Sequence, residues 1–397
     1  MEYPPAHARH IFEEVERSGP PSRPLDFGTP MYHPAFEGDA LVIDPETGGQ
    51  SVMAVFHRTD ILTAAPGPNE QLVAYSPIRR LEDAIYGQVW VCLILKRHHG
   101  VEANRTAATI EPGRQYIVWE RTQSFAAVKM LQWARIQALR GRMLEDPVKE
   151  ASAMRYIGNS SPHVLGVRDI LSTDRHLHIV MPYCRGGDLF GIVAKYSDGM
   201  PEPAARYWFR QILKGLLHLQ SVGICHRDLS LENILVDTDN CCIIDMGMCL
   251  LVPYSDPANP GGVTDVRGGT IRRLIKPHGV CGKRNYMSPE IHANVEPFDG
   301  FAIDLWAAGV ILYIMITGFP PYEEASRTDE RFDIIVSGRL VAQLREWEVP
   351  ISRDAADLLQ SILREDPRDR STLAEVMAHP WVVNGEATPP APQQPLL

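Results

Sequence analysis

The stretch CHRDLSLEN, Cys225 to Asn233, sets Asp228 and Asn233 five positions apart behind a His-Arg pair. A carboxylate can accept or orient the proton of an attacking hydroxyl, and an amide oxygen can ligate a hard cation such as Mg2+. About a dozen residues later, Asp245-Met246-Gly247 puts a second carboxylate at the end of an apolar run, where the glycine allows an unusual backbone turn. Upstream, Lys129 sits in FAAVKML, and Glu150 follows some twenty residues on. Each element is weak by itself. A Lys on an apolar strand suits an edge facing water as well as a cleft facing a phosphate, and D-x-G occurs by chance in many chains. In this order the set is strong, because it supplies what phosphoryl transfer needs: a cation on the phosphates, oxygen ligands for Mg2+, and a group that orients the nucleophile.

These residues need elements to hold them. QVWVCLIL and FAAVKML read as neighbouring strands separated by a polar insertion of about 25 residues. EDPVKEASAMRYIG reads as a helix with Val148, Ala151 and Met154 on one stripe, LHIVMPY as a strand, and ARYWFRQILKGLLHLQSV as a long amphipathic helix. NILVD and CCIID are short strands flanking the acidic residues, and beyond residue 290 the pattern is almost entirely helical. A β-rich region with one helix followed by a helix-rich region predicts two lobes with a cleft between them. Residues 1–75 are rich in Pro and Gly; ALVID and SVMAVF could be isolated strands, but the segment is expected to be a largely irregular extension, in part draped on the folded domain. The Pro-rich end, residues 384–397, is expected to be a disordered tail.

Composition narrows the function classes. The chain has 397 residues, 45% of them apolar, enough for the cores of two or three domains. A net charge of −10 argues against bulk binding to nucleic acid or to an anionic membrane. The longest apolar run, LWAAGVILYIMITGF, is about 15 residues, short of the ~20 that span a bilayer, and predicts a buried core helix. Seven Cys without a CxxC spacing and an N-terminus lacking the pattern of a secretory leader predict reduced thiols in the cytoplasm, the nucleus being the other such compartment. No nucleic-acid or membrane partner is expected, and the oligomeric state is left open.

The ordered set resembles the eukaryotic protein kinase family, Ser/Thr type, over residues 76–383. The resemblance implies an α+β bilobal protein kinase fold, with a β-rich N-lobe holding one key helix (about 76–182) and a mainly helical C-lobe (about 183–383). Further residues carry it: Ser288-Pro289-Glu290 stands where the family has A-P-E, and Asp304 where an Asp buttresses the catalytic loop. Arg370 stands where an Arg pairs with the A-P-E glutamate. The end at His379-Pro380-Trp381 is similar to the last helix of calcium/calmodulin-type kinases. What the resemblance implies is an ATP- and Mg2+-dependent kinase of protein substrates, with Asp228 as base, Lys129 on the phosphates, Glu150 holding Lys129, and Asn233 and Asp245 on the metal. Gly87, Val89, Ala127, Lys129, Met181, Tyr183, Cys184, Asp188 and Leu235 would line the nucleotide site. Met154, Val167, Met246 and His226 match the family's stacked spine, and Arg227 matches the Arg that pairs with a phosphorylated loop residue, for which Thr270, and after it Thr264 or Ser255, are the candidates.

The pattern breaks in two places. Where the family writes G-x-G-x-x-G-x-V, this chain has Glu82 to Val89 and keeps only Gly87 and Val89, which predicts weaker nucleotide binding. Two residues after Asp228, where Ser/Thr-directed members place a Lys, stands Ser230; where they have the Thr of G-T-x-x-Y stands Lys283. The expectation is an exchange of partners, with Lys283 reaching Asp228 and the transferring phosphate and Ser230 as its neutral partner. The alternative function is a pseudokinase scaffold with weak nucleotide binding.

Overall fold

A computed structural model of the chain describes residues 6–59, 72–98 and 118–389. The chain divides into two compact units. One consists of residues 29–155 and 166–183; the other of residues 1–28, 156–165 and 184–397.

The first unit is a seven-stranded sheet closed into a barrel, in the order β1-β2-β3-β4-β5-β7-β6. Its strands are β1 (His33–Ile43), β2 (Gln50–Arg58), β3 (Val73–Ala84), β4 (Gly87–Arg97), β5 (Val118–Gln132), β6 (Asp169–Ser172) and β7 (His176–Pro182). The expectation of a largely irregular extension over residues 1–75 therefore fails: the apolar runs in it are paired strands of the barrel. β1 and β2 form an antiparallel hairpin from Ala35↔Arg58 to Ile43↔Gln50. Asp44 makes its turn, accepting the N–H of Glu46 at 2.9 Å on Oδ1 and that of Gly48 at 2.8 Å on its carbonyl, as Asx side chains do. β1 then closes the barrel by parallel pairing with β6 (His33↔Leu171) and with the start of β5 (Leu41↔Val118). The Pro/Gly content that reads as irregular marks the turns between strands, and the closing partners lie more than 70 residues away in the chain, where local periodicity carries no signal. The same pairing makes the stretch from Val118 part of β5, so the polar insertion is shorter than expected; residues 99–117 of it lie outside the described residues.

One cluster takes buried side chains from six strands: Phe56, Tyr75, Cys92 and Ile94, Ala126 and Val128, Leu171 and Val180, with Ala35 of β1 against it. It fills the inside of the barrel. Because successive side chains on a strand alternate faces, Ala126 and Val128 point into this core, while Ala127 and Lys129 of the same strand point to the other face. Two helices complete the unit, α2 (Trp133–Leu139) and α3 (Pro147–Ile157). Asp146 starts α3, its Oδ1 accepting the N–H of Val148 at 2.9 Å and of Lys149 at 3.3 Å, and Pro147 sits in the first turn where no donor is needed.

The second unit is mainly helical. Before the barrel strands, the chain forms α1 (Ala6–Arg17); after them come α4 (Leu189–Val193), α5 (Glu202–Ser221), short strands β8 (Ile224–Cys225), β9 (Ile234–Asp237), β10 (Asn240–Ile243), β11 (Leu250–Leu251), β12 (Tyr254–Ser255) and β13 (Val263–Thr264), then α6 (Pro289–Ala293), α7 (Gly300–Thr317), α8 (Glu330–Ile334), α9 (Leu340–Glu346), α10 (Arg353–Ile362), α11 (Leu373–Ala378) and α12 (Pro380–Asn384). The long apolar run is α7, buried on every side apart from a partial exposure at Ala302, as a helix without a polar face must be. Asp299 caps it, accepting the N–H of Phe301 at 3.0 Å, and Gly318 ends it at φ +82°.

Residues near both ends of the described chain are tied to this unit. α1 is held by Arg9 to Asp369 at 2.8 Å and by Arg368 to Glu16 at 2.6 Å. The arm after it pairs with the segment that follows Asp245: Ser22 N–H donates to Leu274 O at 3.0 Å, Lys276 N–H returns to Ser22 O at 3.0 Å, and Leu25 N–H donates to Leu251 O at 2.9 Å. At the other end, residues 384–389 depart from the tail expectation, because Arg210 Nη2 donates to Gly385 O at 2.9 Å and Thr388 N–H to Pro203 O at 3.2 Å. The rest of the expected tail, residues 390–397, lies outside the described residues.

Candidate active site

The sheet unit carries a Lys–Glu pair on a shared face. In the antiparallel ladders Val89 stands opposite Lys129, and Ala127 opposite Met181. Directly opposed residues point to the same side, so Val89, Ala127, Lys129 and Met181 form one patch on the face away from the barrel core. Lys129 Nζ meets Glu150 Oε1 at 2.5 Å. Glu150 lies in the first turn of α3 and is 1% exposed, so the pair is largely desolvated. Tyr183, at the end of β7, accepts a hydrogen bond from Arg79 at 3.0 Å and meets Phe125 edge-on.

The degraded phosphate loop is the tip of the β3–β4 hairpin. Glu82, Asp83 and Ala84 pair with Val89, Gln88 and Gly87, leaving Ile85 and Tyr86 as the two-residue turn. Tyr86 is buried, and its hydroxyl donates to Glu145 O at 2.7 Å, fastening the turn to the chain ahead of α3. A Cβ at Gly87 would lie 2.0 Å from Met130 O. Sheet packing alone therefore demands the surviving glycine. Asp83 is partly compensated by Arg80 at 3.2 Å, an exposed pair of small energetic weight.

The helical unit carries the catalytic loop between β8 and β9. Asp304, one turn into α7 and wholly buried, accepts the N–H of His226 at 2.6 Å and of Arg227 at 2.8 Å. His226 closes the loop from the other side: its Nε2 is 2.8 Å from Ile244 O, and its Nδ1 accepts the Asp228 N–H at 3.2 Å. Between these clamps Arg227 adopts φ +69°, a left-handed conformation that few side chains tolerate. Asn233 Nδ2 donates to Asp228 O at 2.7 Å and to Asp228 Oδ2 at 3.0 Å. Asp228 Oδ1 is buried and has no hydrogen-bond partner among the described residues. Such an oxygen is costly to leave unsatisfied and marks a place for a ligand proton or ion.

Lys283 reaches this loop. Its Nζ donates to Ser230 Oγ at 2.8 Å and lies 3.8 Å from Glu232 Oε2. Ser230 is fully buried, and Lys283 lines a small cavity with Asp228, Gly282 and Arg227. Cation and hydroxyl thus occupy each other's expected places and touch. Glu232 is a member of this group that motif reading passes over; its only signal is an acid lying inside the loop between Ser230 and Asn233.

The remaining site residues follow on nearby strands. Ile244 N–H donates to Asn233 O at 2.9 Å, which joins the end of β10 to the loop. Asp245 follows at φ +65° and accepts the Gly247 N–H at 3.1 Å. Asp188 caps α4 through Gly191 N–H at 2.7 Å and bridges Leu235 on β9. Cys184 lies 3.9 Å from Cys242, a contact that holds its thiol pKa below the usual value despite burial. Of the residues matched to the family's spine, Met154 is buried and Val167 half-buried in the sheet unit, and His226 and Met246 are buried in the helical unit. Arg227 donates to Gly279 O at 2.9 Å and His278 O at 3.2 Å; Thr270 instead bonds Ser255 through its backbone. Arg370 makes a bidentate pair with Glu290 at 2.9 and 3.1 Å, as the family resemblance implies.

A β-rich unit with a strand lysine held by a helical glutamate, and a helical unit with a braced His-Arg-Asp loop, define a protein kinase. Residues 113–382 match the protein kinase domain family, and the chain belongs to it. Serine/threonine-protein kinase DCLK3 of Mus musculus is 29% identical over 285 residues, covering 71% of this chain and 32% of that protein. CBL-interacting protein kinase 16 of Oryza sativa subsp. japonica is 30% identical over 279 residues, 70% of this chain and 54% of that protein. Probable serine/threonine-protein kinase KCC4 of Saccharomyces cerevisiae is 34% identical over 226 residues, 56% of this chain and 19% of that protein. The chain thus spans between about a fifth and about half of the length of these relatives.

Proposed function

We propose that the chain transfers the γ-phosphoryl group of ATP to Ser/Thr hydroxyls of protein substrates. The observation that carries this is Asp228, whose Oδ2 is held by Asn233 while Oδ1 is buried and unpartnered, in a loop braced by Asp304. Oδ1 accepts the proton of the attacking hydroxyl and orients its oxygen. Lys129, kept in place by Glu150, neutralises the non-transferred phosphates. In the sheet unit, Val89, Ala127 and Met181 share the apolar face offered to the adenine, with Tyr183 for its edge and Gly87 for the phosphates; in the helical unit, Cys184, Asp188 and Leu235 are the nucleotide-binding candidates by resemblance.

Asn233 and Asp245 suit Mg2+: both offer oxygen, and because the Asn233 nitrogen is spent on Asp228, its oxygen is the atom left for a metal. Bound there, Mg2+ would neutralise charge on the phosphates. Lys283 supplies the cation near the transferring group that Ser230 cannot, and Ser230 orients it. Seven cysteines without a disulfide, six of them buried, fit a reducing compartment such as the cytoplasm.

Phosphate transfer from Mg-ATP to a mixture of generic proteins, with products assigned by mass spectrometry, tests the reading. Phosphoserine and phosphothreonine are expected, and Asp228→Asn is expected to lower kcat by about 10²–10⁴-fold. No transfer by the native chain, together with no rise in Tm with Mg-ATP, would overturn it in favour of a pseudokinase scaffold.

A further inference from the structure

At one end of the barrel in the sheet unit, three metal-ligating side chains converge without any role in phosphoryl transfer. His176 and His178 are two apart on β7, so they share a face. His178 points into the barrel core, where its ring stacks on Phe56 with centroids 4.4 Å apart and planes 9° from parallel. Glu37 stands opposite Phe56 in the β1–β2 ladder and so faces the same side. His176 Nδ1 and Glu37 Oε2 are 3.1 Å apart, and a donor atom from each of the three residues lies within 4.8 Å of the others.

His178 is the second, independent observation. It is fully buried, and neither ring nitrogen has a hydrogen-bond partner among the described residues. A neutral imidazole has one N–H donor and one nitrogen acceptor, so a sealed core leaves both unpaid unless something else meets them. A cavity lined by Met130, Gln132, Trp90 and Arg135 borders His176.

We propose that Glu37, His176 and His178 form a binding site for a divalent cation of the zinc class at the mouth of the barrel. Two imidazoles and a carboxylate form a borderline donor set that suits Zn2+ in preference to Mg2+ or Ca2+, with the remaining positions left to water. Zinc ligands lie about 2.0–2.1 Å from the ion, which puts donors roughly 3.4 Å apart in a tetrahedron; the 3.1 Å spacing of His176 and Glu37 already approaches that. The ion would join β1, from the N-terminal region, directly to β7, and so lock the strand that closes the barrel. This proposal is independent of kinase activity.

The test uses the full chain, stripped with a chelator and titrated with Co2+ as a spectroscopic probe and then with Zn2+. One equivalent of Co2+ is expected to give the visible bands of a tetrahedral nitrogen/oxygen site, and Zn2+ to displace it and raise Tm by a few degrees. His176→Ala and Glu37→Gln, both at the partly exposed mouth, are each expected to weaken binding at least ten-fold while Tm without metal changes little. His178→Leu, apolar and similar in volume, is expected to fold and to lose the Co2+ bands. The proposal is overturned if no stoichiometric binding occurs, if the bands carry a thiolate signature that places the ion on cysteines, or if binding survives these substitutions.

Discussion

Asp304 shows what one buried side chain costs and what it secures. Burial pushes its carboxyl pKa up to about 6, against the opposing pull of His226 and Arg227. A folded-state pKa above the unfolded one means that its contribution to stability is fully present below about pH 4 and is lost as pH rises through about 6. At neutral pH the ionised form therefore costs on the order of 3 kcal/mol, in return for two N–H bonds that hold His226 and Arg227. Protonation gives one oxygen a hydrogen facing an N–H donor and loosens the loop. We expect kcat to fall as pH drops through about 6, although Asp304's own effect on stability has the opposite sign; a kcat that stays flat from pH 7 to 5 would remove the idea. Lys283, on Ser230 and near Glu232, is proposed as the cation near the transferring group. At an effective dielectric of 20 a unit charge pair at 4 Å is worth about 4 kcal/mol, so Lys283→Ala is expected to lower kcat by roughly 10²-fold or more with Tm little changed, since the side chain is more than a third exposed. Unchanged turnover in the folded variant would mean that the exchange with Ser230 is drift.

At the scale of elements, the β3–β4 hairpin stands where the family's phosphate loop is expected. Its tip is fastened through Tyr86 to Glu145 and through the close approach of Gly87 to Met130. Glu82 and Ala84 complete the ladder where phosphate-binding hairpins keep glycine. Glycine at both positions would free the backbone to approach the phosphates and remove one negative charge, at a cost of about 0.5–1 kcal/mol of stability each. The double variant Glu82→Gly, Ala84→Gly is therefore expected to show a several-fold lower KM for ATP and a slightly lower Tm. An unchanged KM would indicate that the hairpin contributes little to nucleotide binding here. The hairpin was legible in the sequence as a broken motif; its anchoring was not, because Glu145 lies 59 residues beyond Tyr86.

For the molecule as a whole, the N-terminal region is the part that a motif-based boundary misplaces. Residues 6–28 belong to the helical unit, and residues 33–58 supply two strands of the barrel. A chain beginning at residue 29 is expected to fold but to lose hydrogen-exchange protection at the Lys276 N–H, which donates to Ser22 O of the arm. A chain beginning at residue 72 loses Leu41, Val42, Val55 and Phe56, all buried. At roughly 1.5–3 kcal/mol per large apolar side chain, that exceeds about 5 kcal/mol, comparable to the whole stability of a domain, so this chain is expected to aggregate. A soluble, cooperatively melting chain from residue 72 would show that the hairpin is dispensable. By itself the sequence determined the family, because Lys129, Glu150, Asp228, Asn233 and Asp245 match it by residue type and order, and the long helices, because their periodicity is local. Only the tertiary structure decided that Lys283 touches Ser230, that β1 closes a barrel, and that Glu37 meets His176 and His178. Each of these joins residues from 53 to 141 positions apart, a separation at which pairing is set by packing and strand register.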